Sequence, residues 1–435
     1  MQIERLDAQQ FARLGGADPA ATHVRSLVAG GASVAEDVST IVESVREQGD
    51  QAVLEHTRRL DTNGSEPRQL RVPAEELDEA LTQLPLELVA GLQVAIANVA
   101  LVAEAGVHAD ATVQLPQGHR VLLREVPVGS AAVYVPGGRA SYPSTVVMGV
   151  VTARSAGVVD VAVCAPPGAD GQIDPVILGT CRLCGVERVY RMGGAQAIAA
   201  LAYGTDTVQR VDVIVGPGNL WVQEAKHQLS SIVGIDGFAG PSDLLVLLGA
   251  DAGEREIGLA ALDMLAQGEH GEGSLVVAVS PSELVCEVLA AALEDMVVER
   301  PTVGEAAFAI VGVPGPRDAL AFANAFAPEH LELVGTDMEA LAPLIRSAGC
   351  VFVGTSSATA FGDYVAGSNH VLPTGGAARF ASTLSARHFR RTMSEVRIGE
   401  GAVKLAAAGA PVARAEGFEV HAESMEARVR QNQLS

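Results

Sequence analysis

The chain of 435 residues reads as an α/β protein with two parallel-sheet units of similar build, a helical N-terminal segment and a strandless C-terminal tail. Three observations predict this. Short, unbroken apolar runs recur, each followed by glycine and a helical stretch. Aromatic residues are scarce at 4%, whereas Ala, Val, Leu and Gly abound, as suits helices packed closely on a sheet. The runs then stop after about Ser382. Continuous apolar strands alternating with helices are what a parallel sheet buried on both faces requires.

In chain order, residues 1–60 are polar and helix-like, with Ser33-Val-Ala-Glu36 forming a capping box. Helical periodicity continues from Pro73 to Ala105. Thr112 to Val126 predicts two strands about the turn Pro116-Gln-Gly118. The first sheet is then predicted from Ala131–Val135, Val159–Cys164, Val186–Arg191 and Val211–Val215. A switch near Gly240-Pro241 leads to the second: Leu244–Leu248, Leu275–Val279, Ala307–Val311 and Cys350–Val353.

Composition excludes several functions. A formal charge of −22 argues against nucleic acid or an anionic membrane as partner, and a phosphate-bearing ligand would need local donors. The opening residues lack the basic start and apolar run of a signal peptide, and the apolar stretches are expected to break before bilayer length. Five cysteines suggest no disulfide framework; Cys181 and Cys184 read as packing residues. A cytoplasmic protein is expected.

Three glycine turns follow predicted strands: Tyr134-Val-Pro-Gly-Gly138, Gly193-Gly-Ala-Gln-Ala-Ile198 and Gly216-Pro-Gly-Asn219. The second opens a helix, whose free N–H groups suit an anion. Ligands of open α/β sheets collect at such strand ends. None of the three is a dinucleotide fingerprint or a P-loop. Together, carrying Tyr134, Gln196 and Asn219, they point to a nucleotide-sized ligand.

Ala327-Pro-Glu-His-Leu-Glu332 places a carboxylate, Glu329, beside an imidazole, His330, the two groups most used to move protons near neutral pH. Possible metal ligands lie on both sides. Gln267 and His270, spaced i and i+3, close a helical run. Asp363 sits in Phe-Gly-Asp-Tyr, His370 follows seven residues later, and Glu416 and His421 stand in the tail. Each also has a plain structural reading: His270 and Asp363 as helix caps, a tail histidine as solvated surface. His23, His56, His108, His119, His227 and His388 have no such neighbours and read as structural.

The ordered segments resemble histidinol dehydrogenase over nearly the whole chain. They are the three glycine turns, Ala239-Gly-Pro-Ser242, Gln267-x-Glu-His270, Ala327-Pro-Glu-His-Leu-Glu332, Gly362-Asp-Tyr364, Gly367-Ser-Asn-His-Val-Leu-Pro-Thr374 and Glu416-Gly-x-x-x-His421. The first hundred residues resemble the family only loosely. The resemblance implies one Zn²⁺ per subunit held by Gln267, His270, Asp363 and His421, with Glu329 and His330 as the proton-transfer pair. Substrate contacts are implied for Ser242, Gln267, His270, His330, Asp363, Glu416 and His421, with His370 close by. NAD is implied against Tyr134, Gln196 and Asn219.

The resemblance also implies two Rossmann-like domains and a homodimer whose intertwined tails complete each other's sites. The chain would then divide into an N-terminal helical segment (1–25), a discontinuous metal and substrate domain (26–129 with 241–381), a nucleotide-binding domain (130–240) and a dimerisation tail (382–435). The implied activity is oxidation of L-histidinol to L-histidine through histidinal, with two successive NAD. In it His330 is the base of the first step and Glu329 activates water for the second. Two positions depart from the family pattern. Gly268 replaces a more usual alanine and loosens the end of its helix, and Asp243 replaces glutamate beside Ser242. The competing readings are a related dehydrogenase of another amino or sulfonated alcohol, and a zinc hydrolase without a redox cofactor.

Overall fold

The computed structural model describes residues 2–28, 33–137, 141–237, 240–271, 273–303 and 305–431. Gly138, Arg139 and Ala140 of the first glycine motif, and Ala239, lie outside the described residues. The chain forms two units, Met1–Gly106 with Gly129–Phe389, and Val107–Val128 with Arg390–Ser435.

The first unit holds two all-parallel sheets. One takes the order β6-β5-β4-β7-β8, from β4 (Ser130–Tyr134), β5 (Asp160–Ala165), β6 (Arg188–Arg191), β7 (Val213–Val215) and β8 (Gly234–Ile235). The other is six-stranded, in the order β1-β11-β10-β9-β12-β13. Its strands are β1 (Ile3–Leu6), β9 (Asp243–Leu248), β10 (Leu275–Ser280), β11 (Ala307–Gly312), β12 (His330–Val334) and β13 (Cys350–Val353). The apolar runs of the sequence fall on these strands, with β9 and β10 buried along their whole length.

Several expectations change. The N-terminal segment is not wholly helical, because β1 pairs with β11 at the sheet edge. Residues 26–129 do not all go with 241–381. The helices Ala35–Gln48 and Asp50–Leu60 turn Val38, Ile41, Val42, Val45, Ala52 and Val53 into the core of the five-stranded sheet. The capping box at Ser33 is not formed, since Val34 occupies the N-cap with no side-chain bond.

The helix Leu86–Ala105 is 20 residues long and apolar enough, by length and composition alone, to cross a membrane, contrary to the expected break. Gly91 does not interrupt it. Leu92, Ala95, Val99 and Ala103 are its buried residues, and it packs on the helix Pro143–Ser155.

In the second unit β2 (Ala111–Gln114) and β3 (Arg120–Pro127) pair antiparallel as the turn at Pro116 predicted, and β14 (Arg390–Arg397) adds to β3. The tail is therefore not strandless. Its helices Ala402–Ala415 and Glu419–Gln431 form a hairpin tied by Arg414, which reaches Glu419 and Glu426 at 2.8 Å each.

Candidate active site

β12 runs parallel between β9 and β13 with His330 beside Leu244 and Cys350, so its first residues stand at the amino-terminal ends of all three strands. The helix Pro316–Phe326 ends on Ala327, whose φ of 50° is left-handed and costs a non-glycine residue about 1 kcal/mol. Arg25 holds this turn: its guanidinium donates to Phe326 O and Ala327 O and lies 3.9 Å over the Phe326 ring. The same group pairs with Asp243 Oδ2 at 3.2 Å. Gly349 runs alongside, where a Cβ would meet Glu329 O at 2.5 Å. Backbone closeness, not flexibility, requires glycine there.

The side chains form a connected series. Gln267 Nε2 donates to Ser242 Oγ at 2.6 Å, and Ser242 Oγ donates to Glu329 Oε2 at 2.6 Å. Glu329 Oε1 faces His330 Nε2 at 3.6 Å, and Asp363 Oδ1 faces the same nitrogen at 3.9 Å. Asp363 lies on the short helix Thr359–Tyr364, and its backbone oxygen is 3.0 Å from His370 Nδ1. His270 stands just past the helix Glu254–Gly268, with Nδ1 3.1 Å from Gln267 O. Ser242, Gln267, His270, Glu329, His330, Asp363 and His370 are thus brought together. Thr145, which the sequence did not single out, reaches His370 Nε2 at 3.3 Å.

Burial sets the charges. It pushes the His330 imidazole down to about 3, helped by His270 and His370, so this ring is neutral at physiological pH. His330 Nδ1 is buried without a partner among the described residues. Burial likewise lowers His370 to about 4 and raises Asp363 to about 6, the latter opposed by His270. Glu329 is raised well above the ordinary carboxylate range by burial and then by Asp243.

The two departures from the family pattern have physical settings. Asp243 is buried, accepts from Glu329 N–H at 2.7 Å and from Gly375 N–H at 3.2 Å, and pairs with Arg25. At Gly268 an added Cβ would lie 3.0 Å from both Phe308 and Val303, so these side chains take the space of a methyl group. Gly268 is also the last residue of its helix, which confines any loosening to the terminus.

Tyr134, Gln196 and Asn219 line one cleft of about 1090 Å³, on the size scale of nucleotide sites. Gly216 has φ 116°, and a Cβ there would meet Tyr134 O at 2.1 Å. Buried Lys226 fixes the turn through Gly216 O at 2.6 Å and Asp236 at 2.7 Å. The helix Gly194–Tyr203 does not offer its first N–H groups freely. Gly194 N–H donates to Tyr134 Oη at 3.2 Å, and Gly193 N–H is bonded by the Asp61 carboxylate. Asn219 caps the next helix by accepting from Val222 N–H at 3.2 Å.

Glu416 and His421 lie exposed on the tail hairpin of the second unit, His421 against Phe418 with ring centroids 5.1 Å apart. Arg25, Asp61 and Thr145 escaped the sequence reading because each acts across a gap of more than a hundred residues, to Asp243, Gln196 and His370.

The family model for histidinol dehydrogenase matches residues 28–429. A histidinol dehydrogenase of Synechococcus is 41% identical over 95% of this chain and 95% of its own length. That of Gluconobacter oxydans is 39% identical over 92% of this chain and 94% of its own. The crystal structure of histidinol dehydrogenase from Elizabethkingia anophelis superposes with a TM-score of 0.89 at 28% identity, covering 99% of each chain.

Proposed function

The chain belongs to the histidinol dehydrogenase family, and on that premise we propose that it oxidises L-histidinol to L-histidine through histidinal with two NAD and one zinc ion per subunit. Family membership makes it an oxidoreductase of histidine biosynthesis. The observation that carries the finer reading is the clustering of Gln267, Ser242, Glu329, His330 and Asp363, the first three hydrogen-bonded and the last two 3.9 Å apart.

The donor set fits zinc. Gln267 engages Ser242 through its amide nitrogen and leaves its carbonyl oxygen open; His270 engages Gln267 O through Nδ1 and leaves Nε2 open. Among the described residues no three His, Cys, Asp or Glu side chains form a metal-holding group. The proposed set adds the Gln267 amide to His270 and Asp363, with His421 supplied by a second copy of the chain. One carboxylate, two imidazoles and one amide leave the ion net positive; when bound, it would orient the amine and imidazole nitrogens of the substrate.

Neutral His330 takes the hydroxyl proton as hydride leaves the carbon. Hydration of the aldehyde needs a second proton acceptor. Glu329, a stronger base than an ordinary carboxylate, fills that role, oriented by Ser242 and by Asp243 N–H. In balance, one alcohol, one water and two NAD⁺ give one carboxylate, two NADH and three protons.

The cleft of Tyr134, Gln196 and Asn219 is proposed for NAD. A homodimer with Glu416 and His421 lent by the neighbour completes the site, and Leu86 and Leu101, 86% and 67% exposed, offer apolar surface for a second copy. Five free cysteines suit a reducing, cytoplasmic location. Incubation with L-histidinol should yield L-histidine only when NAD⁺ is supplied. Turnover of amide or ester substrates without NAD⁺, and none of histidinol with it, would favour a zinc hydrolase.

A further inference from the structure

We propose that Asp61, together with Gln196, is a specificity-determining pair that reads the adenosine ribose diol of the dinucleotide and excludes a 2′-phosphate. This rests on the placement of NAD in the cleft given above. The two side chains line that cleft, and Gln196 Nε2 donates to Asp61 Oδ2 at 3.2 Å. The bond orients the amide so that Gln196 Oε1 points elsewhere, and this oxygen is buried with no partner among the described residues. The carboxylate takes Gly193 N–H and the Gln196 amide, which leaves two of about four lone-pair positions open.

The open acceptor in this corner is therefore the Asp61 carboxylate, oriented by Gln196, and an acceptor selects a donor. A vicinal ribose diol supplies two hydroxyl hydrogens, which the open lone pairs of the Asp61 carboxylate can accept. A phosphate supplies none and adds negative charge to a partly buried carboxylate. The helix N-terminus, otherwise a site for phosphate, is already engaged by Asp61 and Tyr134. In other dinucleotide folds an acidic residue about 20 positions after the glycine turn does the same work. Here it comes from the end of the helix Asp50–Leu60, ahead of the whole sheet.

The orientation proposed for the dinucleotide is argued from another lining residue, Ser141. Ser141 lies two residues before the helix Pro143–Ser155, whose Thr145 touches His370 of the catalytic cluster. Nicotinamide is assigned to the end near Ser141, and the adenosine ribose to Asp61.

The chain's single tryptophan, Trp221, lines the same cleft, so its fluorescence reports binding in the zinc-loaded, full-length protein. Titration should show NAD⁺ bound at least about 100-fold more tightly than NADP⁺, in the range that buried polar mismatches produce. Asp61→Asn should cut that preference by about tenfold or more, through weaker NAD⁺ and stronger NADP⁺ binding. On the wild-type protein, ADP-ribose should displace NAD⁺ and its 2′-phosphate derivative should not, a measurement that needs no variant to fold. An unchanged preference in Asp61→Asn, or equal displacement by the two fragments, would overturn the proposal. Should NAD⁺ leave Trp221 unaffected and Asn219→Ala leave its KM unchanged, the cofactor placement itself is wrong.

Discussion

Glu329 and Asp243 clasp each other across adjacent strands: Asp243 N–H donates to Glu329 Oε2 at 2.9 Å, and Glu329 N–H donates to Asp243 Oδ1 at 2.7 Å. The clasp fixes the Glu329 carboxylate, proposed above as the water-activating base, and the other Asp243 oxygen, Oδ2, is held in turn by Arg25. Asp243→Ala should therefore cost about 3 kcal/mol or more of stability, because it leaves Arg25 facing a buried void. Denaturant unfolding of the two proteins measures this, and kcat should fall with it.

Glu329→Gln keeps the shape of the clasp but removes the proposed base. Oxidation of histidinol to histidinal should be spared relative to oxidation of added histidinal. Transient kinetics of the two half-reactions would test the division of labour, and an equal loss in both would reject it.

Burial of two neutral imidazoles makes stability sensitive to acid. His330 and His370 are held at about 3 and about 4, against about 6.5 in the unfolded chain. Between those values the unfolded state binds more protons, so each group withdraws stability as pH falls below about 6.5, by up to about 1.4 kcal/mol per pH unit. Asp363, raised to about 6, acts in the opposite sense between about 4 and about 6. A His370→Gln variant isolates one imidazole. Its unfolding free energy in metal-free protein should fall less between pH 7 and pH 5 than that of the wild type.

At Gly216 a methyl group would collide with Tyr134 O at 2.1 Å, and the left-handed φ of 116° adds strain. Gly216→Ala should raise the KM for NAD by about tenfold or more while affecting the histidinol KM far less. Steady-state titration of each substrate distinguishes the two.

Legibility in the sequence followed the apolar runs. Strands such as β9 and β10, buried throughout, announced themselves, whereas β12 did not, because its letters His-Leu-Glu-Leu-Val alternate polar and apolar at the site. β1 and β14 were missed for a related reason. An edge strand and a charged antiparallel strand bury too little to carry a continuous apolar signal. Side chains with their own chemistry, such as Gln267, His270 and Asp363, stood out by type and neighbourhood. Arg25 could not, since nothing in a helix-ending arginine foretells a partner 218 residues away.

The most direct measurement of the central claim is the yield of reduced nicotinamide per L-histidinol, in metal-stripped and zinc-reloaded protein. The account predicts two NADH per histidinol after reloading and next to none after stripping. A yield of one, or full activity without any divalent ion, would contradict it.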